Sequence, residues 1–132
     1  MIKYLLDTNI LIYTIKNRPP QVREKFNQHL GQMATSTVTV GELVFGAERS
    51  AQPARNLIDI EGLFARLHIL DFDLRSAQQF GQIRASLYNQ GTPIGSYDMM
   101  IAGIAKSQGL ILVTNNEKEF NRIPGLQIEN WV

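Results

Sequence analysis

Four short apolar runs, Ile2 to Leu6, Ala34 to Val38, Leu67 to Leu70 and Leu110 to Thr114, are separated by longer stretches whose apolar residues recur every three to four positions. That alternation constrains the fold more than any other feature of the chain. A brief apolar or β-branched run bounded by polar or turn residues reads as a buried strand, and the periodic stretches read as helices. Strands joined through helices need crossovers, which are right-handed and give a parallel sheet covered on both faces. The expected class is α/β, a three-layer α/β/α sandwich around a mainly parallel sheet.

The spacing predicts helices over Ile10 to Ile15, Pro20 to Leu30, Val40 to Arg49, Pro53 to Arg66, Leu74 to Asn89 and Tyr97 to Ser107. Val22, Phe26 and Leu30 form the apolar stripe of the second, which Gly31 ends, and Leu57, Ile58, Ile60, Leu63 and Phe64 that of the fourth. Ala77, Phe80, Ile83 and Leu87 line the fifth. The last is apolar on nearly every side, the mark of a helix buried against a sheet. With 132 residues and no linker, repeat or low-complexity segment, one domain over residues 1–132 is expected.

Cysteine is absent, which removes disulfides, zinc-thiolate sites, iron–sulfur clusters and cysteine nucleophiles from consideration. The apolar runs are far shorter than the roughly 20 residues of a membrane span. No membrane association and a cytoplasmic location are therefore expected. A net charge of +1 decides nothing about nucleic acid, because a local basic surface can hide in a balanced total.

Most acidic residues sit among other polar residues, but Asp7, Glu42 and Asp98 do not. In Asp7-Thr8-Asn9 any of the three can cap the following helix, so capping is one reading of Asp7 and ligation another. Asp98 begins a helix, where the macrodipole favours a negative side chain. Glu42 is the hardest to explain as surface charge, since Val40, Leu43, Val44 and Phe45 surround it and no basic residue stands three or four positions away. Asp7 belongs at the carboxyl end of the first strand, the edge where open parallel sheets bind ligands, and Glu42 can reach that edge. Pattern alone does not bring Asp98 there. Two unit charges about 5 Å apart repel by about 3 kcal/mol at an effective dielectric near 20, so converging carboxylates require a counter-charge or a proton. Oxygen donors without cysteine or spaced histidine suit Mg²⁺ or Mn²⁺ and metal-assisted phosphodiester hydrolysis.

The ordered segments "LLDTN", "TVGELVFGAE", "GTPIGSYDMMIAG" and "ILVTNNEKEF" resemble a PIN-domain ribonuclease, and more closely the VapC toxins of bacterial toxin–antitoxin pairs. The resemblance runs from Ile2 to the terminal "IENWV". It implies the PIN-like form of the α/β/α sandwich, with Asp7, Glu42 and Asp98 as acidic ligands of Mg²⁺ and Asp98 brought into the pocket. It gives Thr8 and Thr114 supporting roles. Many PIN domains carry an aspartate two residues after the threonine that ends the fourth strand. Here that position is Asn116, and Glu119 is the nearest carboxylate able to take part in catalysis. The resemblance further implies endoribonuclease activity on tRNA, with the initiator tRNA anticodon loop as first substrate. It also implies inhibition by a VapB-type antitoxin, a homodimer, larger complexes with antitoxin, and operator DNA bound only through the antitoxin.

Other residues carry weaker readings. Lys16, Arg18, Arg23 and Lys25 surround a Pro-Pro turn and face either solvent or RNA phosphates. Arg84 and Tyr97 divide between the groove and ordinary surface or packing positions. His29 and His68 have no metal-ligand spacing, and Trp131 is expected to pin the C-terminus. A haloacid-dehalogenase-type phosphatase would need an aspartate where Asn9 stands, and phosphate-loop and dinucleotide glycine patterns are absent. The remaining alternative is an inactive PIN-like domain that binds RNA or protein without cutting. The three acids argue against it, because a binder gains nothing from carboxylates that repel one another.

Overall fold

A computed structural model describes residues 1–132. The chain runs β1 (Tyr4–Leu6), α1 (Thr8–Lys16), α2 (Pro20–Gln28), β2 (Met33–Ser36), α3 (Thr37–Glu48), α4 (Pro53–Phe64), β3 (His68–Leu70), α5 (Leu74–Asn89), α6 (Ser96–Gln108), β4 (Ile111–Val113), α7 (Glu117–Phe120) and β5 (Ile128–Glu129). The five strands form one sheet in the order β3-β2-β1-β4-β5, and every neighbouring pair is parallel. The expected α/β/α sandwich with a parallel sheet is what forms.

Side chains alternate across the central strands, as the pleat requires. Leu5, Ala34 and Leu112 join Ile83, Leu87, Met99, Ile101 and Phe120 on the α5–α7 face. Tyr4, Leu6, Met33 and Val113 join Ile10, Leu11, Val22, Phe26, Leu43 and Ile60 on the α1–α4 face. Leu5, Leu6 and Leu112 have no exposed surface, and each such side chain contributes about 1.5–3 kcal/mol. The middle of the sheet is thus the rigid base from which the loops at its carboxyl edge project. On one face α5 and α6 approach so closely that a Cβ on Gly103 would lie 2.7 Å from the Ser76 carbonyl oxygen.

Several boundaries differ from the sequence reading. The second strand ends at Ser36, not Val38, because the Ser36 side chain accepts the Thr39 N–H and caps α3 two residues earlier than its apolar run suggests. The helix from Pro20 stops at Gln28, which leaves Leu30 exposed and outside the expected stripe. Ile58 is likewise 68% exposed. The α7 turn and β5 were not foreseen, being a four-residue helix and a two-residue strand without an apolar run of their own.

Candidate functional site

The site begins where β1 ends. Asp7 N–H donates to the Val113 carbonyl at 3.1 Å, fastening the carboxyl ends of β1 and β4 together. Its side chain turns inward, 5% exposed, with Oδ1 accepting the Ile10 N–H at 3.1 Å and Oδ2 accepting the Thr114 hydroxyl at 2.5 Å. The cap of α1 is therefore Asp7 itself, not Thr8 or Asn9, and capping and membership of the acidic site are not exclusive. Burial pushes the Asp7 carboxyl from 3.8 up to about 6. The hydrogen bonds from Thr114 and Ile10 pull it down, while the charges of Asp98 and Glu42 push it up. Thr114 in turn accepts the Asn116 N–H at 3.0 Å, so the loop after β4 aims the hydroxyl at Asp7.

The other acids gather around this carboxyl. Glu42, half-buried on α3, accepts the Thr8 hydroxyl at 2.8 Å. Asp98 lies in the first turn of α6. Burial raises it above its ordinary value, and the charges of Glu119 and then Glu42 raise it further. Gly95 leaves room for it, since a Cβ there would stand 3.4 Å from Asp98 Oδ2. Glu119 accepts the Asn116 side-chain amide at 3.0 Å, which joins the departing position to the nearest acid. Asp7, Glu42, Asp98 and Glu119 thus form one electrostatic group, and none of the influences acting on Asp7 or Asp98 is a cation.

No three acidic or histidine side chains converge at ligating distance. A small hard cation that keeps several waters needs only one or two carboxylates directly. Asp7 retains lone pairs beyond the two hydrogen bonds it accepts. An all-oxygen donor set in which a buried carboxyl is pressed by its neighbours fits a divalent metal ion.

The hydroxyls beneath Glu42 were not foreseen. Thr39 and Ser36 are both 0% exposed, and the Thr39 hydroxyl oxygen accepts from Ser36 at 3.3 Å and from Thr8 at 3.2 Å. The hydroxyl-rich "TSTVT" at the strand end was the signal for them. Asn115, whose amide reaches the Tyr13 hydroxyl at 3.0 Å, was also missed. Arg23, though exposed, donates its guanidinium to the Thr14 and Ile15 carbonyls at the end of α1. Lys16, Arg18, Lys25 and Arg84 are exposed. A cavity of about 280 Å³ between α1, α3 and α4 is lined by Lys16, Thr8 and Glu42 among others. Tyr97 is 60% exposed and, with Phe45 and Met100, borders a hollow on the other side of Glu42. Trp131 is buried and stacks on His29 beside Tyr4, pinning the C-terminus and giving His29 a packing role, whereas His68 lies exposed on the edge strand.

Comparison with known proteins gives the family. A PIN domain model matches residues 4–126. A tRNA(fMet)-specific endonuclease VapC of Shigella flexneri is 55% identical over 131 residues, covering 99% of both chains. One of Salmonella typhimurium is 53% identical with the same coverage. The crystal structure of DNA-bound VapBC from Salmonella typhimurium superposes with a TM-score of 0.96 at 53% identity, over 100% of each chain. The chain belongs to the PIN-domain family, among the VapC ribonucleases.

Proposed function

We propose that this chain, folded as one PIN domain over residues 1–132, is a metal-dependent endoribonuclease and the toxin of a VapBC-type pair. Its substrate class is tRNA, with the initiator tRNA anticodon loop first. The observation that carries the reading is a buried strand-end aspartate pressed by the charges of Asp98 and Glu42, with Glu119 pressing on Asp98 in turn and no cation among these influences. The names of relatives more than half identical over the whole chain supply the substrate. Pairing with a VapB-type antitoxin is supported by the DNA-bound VapBC complex of Salmonella typhimurium; neutralisation, homodimerisation and operator DNA bound through the antitoxin extend the same reading. No helix is long and apolar enough to cross a membrane, and a cytoplasmic location goes with a tRNA substrate in this reading.

One or two of Asp7, Glu42 and Asp98 would hold Mg²⁺ or Mn²⁺ directly, and the others, with Glu119, through bound water. The ion, when bound, supplies an activated water and a positive charge for the leaving oxygen. The residues supply the rest. Thr114 and the Ile10 N–H fix both oxygens of Asp7, so the carboxylate does not swing as RNA arrives. Asn116 holds Glu119 with its amide and Thr114 with its N–H, tying the two sides of the pocket to one loop. Left uncompensated, the four acids repel the RNA backbone, so phosphate enters only once their charge is neutralised.

Antitoxin-free protein should cleave RNA with Mg²⁺ or Mn²⁺ and stop on chelation, and Asp98→Asn should abolish cleavage with the fold intact. Mapping cleavage ends in total RNA, wild type against Asp98→Asn, tests both the activity and the substrate. Cleavage that persists in EDTA, or a fully active Asp98→Asn variant, would overturn the proposal. An inactive binder would cut nothing under any of these conditions.

A further inference from the structure

The loop after β4 holds two acids at once. Thr114 donates to Asp7 Oδ2 and accepts the Asn116 N–H, and the Asn116 side-chain amide donates to Glu119. Between them stands Asn115, whose own N–H and carbonyl form no hydrogen bond with the backbone of the chain. Its one hydrogen bond is made by the side chain: Nδ2 donates to the Tyr13 hydroxyl oxygen at 3.0 Å, across 102 positions of the sequence. The other end of that amide, Oδ1, is buried without a partner, so no second bond directs it. Tyr13 is well placed to act as an anchor. It lies on α1, the helix that Asp7 caps, and its partly buried ring packs against the core of the α1–α4 face. A tyrosine whose body is held by packing presents its polar tip at a defined place. The acidic site is thus tied to α1 twice, once from the Ile10 N–H to Asp7 and once from the Tyr13 hydroxyl to the loop.

We infer that Tyr13 is a positioning residue for the acidic site: by accepting from Asn115 it holds loop 114–116 against α1, and so keeps Thr114 on Asp7 and Asn116 on Glu119. This rests on the reading of those acids as a metal centre. The hydroxyl is separable from the packing, because phenylalanine keeps the ring against the core and removes only the acceptor. Without that acceptor the Asn115 amide has no partner at either end, and an unpaired buried polar group is costly. Turning the amide out to water relieves that cost. The same movement displaces the residues on either side of it, which are the two that hold the acids.

The test compares Tyr13→Phe, Asn115→Ala and the double variant Tyr13→Phe/Asn115→Ala as antitoxin-free protein, at a temperature where all are folded. Backbone ¹⁵N order parameters are measured without metal, Mn²⁺ affinity by calorimetry without RNA, and kcat and KM on a tRNA substrate. In wild type the order parameter at Asn116 should be that of rigid backbone, about 0.85, and in Tyr13→Phe it should fall toward about 0.6. Val113, inside β4, should not change. Mn²⁺ affinity and kcat should each fall about tenfold, the lower end of what partners removed by one step from a metal ligand cost when lost. KM should change little. In the Asn115→Ala background, Tyr13→Phe should add nothing further. Wild-type Asn116 order and Mn²⁺ affinity in Tyr13→Phe, or additive losses in the double variant, would overturn the proposal. A raised KM with kcat unchanged would also overturn it, since the hydroxyl would then be meeting the RNA rather than the loop. Wild-type protein that neither binds Mn²⁺ nor cuts RNA would end the metal reading, and the order parameter at Asn116 would still decide the tether. Should Tyr13→Phe not fold, Asn115→Ala removes the same bond from its other end.

Discussion

Replacing Asp7 by asparagine should make the metal-free protein relatively more stable as pH rises. The wild-type carboxyl is displaced from 3.8 to about 6, so between these values the folded state binds a proton that the unfolded chain has lost. The stability contributed by that proton is fully present below about pH 4 and is lost as pH climbs through about 6. At about 1.36 kcal/mol per pH unit, the displacement amounts to ~3 kcal/mol. Asparagine does not titrate, so the difference in unfolding free energy between variant and wild type should shift by about this amount from acid to neutral pH, in favour of the variant. The amide must also reverse its hydrogen bond with Thr114, but that cost does not vary with pH and drops out of the shift. Urea unfolding of both proteins in EDTA at intervals from about pH 4 to about pH 8 measures it directly. Saturating Mg²⁺ should remove the wild-type penalty. A difference that stays constant within about 0.5 kcal/mol would refute the claim that burial and neighbouring acids act on Asp7 as described.

Gly103→Ala should destabilise the protein by about 1–3 kcal/mol in urea unfolding, because the new methyl meets the Ser76 carbonyl oxygen at 2.7 Å; an unchanged midpoint would mean that α5 and α6 separate freely. Asn116→Asp removes the amide donor to Glu119 and sets a second carboxylate where a 3.0 Å hydrogen bond stood. Metal-free melting temperature at neutral pH should fall and Mn²⁺ affinity should rise, and an unaltered Mn²⁺ affinity would place this side chain outside the ion's reach.

What was legible in the sequence followed burial. The fifth helix was read to the residue from Leu74 to Asn89 because its stripe runs up to the turn at Gly91, and the structure adds an Asp73 cap at its start. β1 and β4 stood out because both faces of each are covered, so their sequences run apolar without a break. Ile58 and Leu30 misled because a stripe records which residues suit a core, not which ones reach it. β5 left no trace, since two residues at a sheet edge need only backbone hydrogen bonds. In the site, Asp7 and Glu42 were expected near the carboxyl edge from their positions just after the first and second strands. Asp98 needed the family resemblance, because its helix precedes the strand it feeds, and only packing of α6 against the sheet brings its first turn to the carboxyl edge. The Ser36, Thr39 and Thr8 line was invisible for a different reason: hydroxyls in a β-branched run look like strand residues until a cap turns them inward.

The bond between Asp7 and Thr114 spans 107 positions of the chain. Early in synthesis the first strand is already made while its partner strand is not, so Asp7 lacks both the Thr114 donor and the Val113 acceptor that hold it. The centre of the sheet closes only when the last quarter of the chain arrives, and this long-range pairing is the slow part of folding. Nascent and truncated chains therefore carry the first acid without a formed pocket. Cutting that depends on this pocket is therefore confined to chains synthesised through the fourth strand.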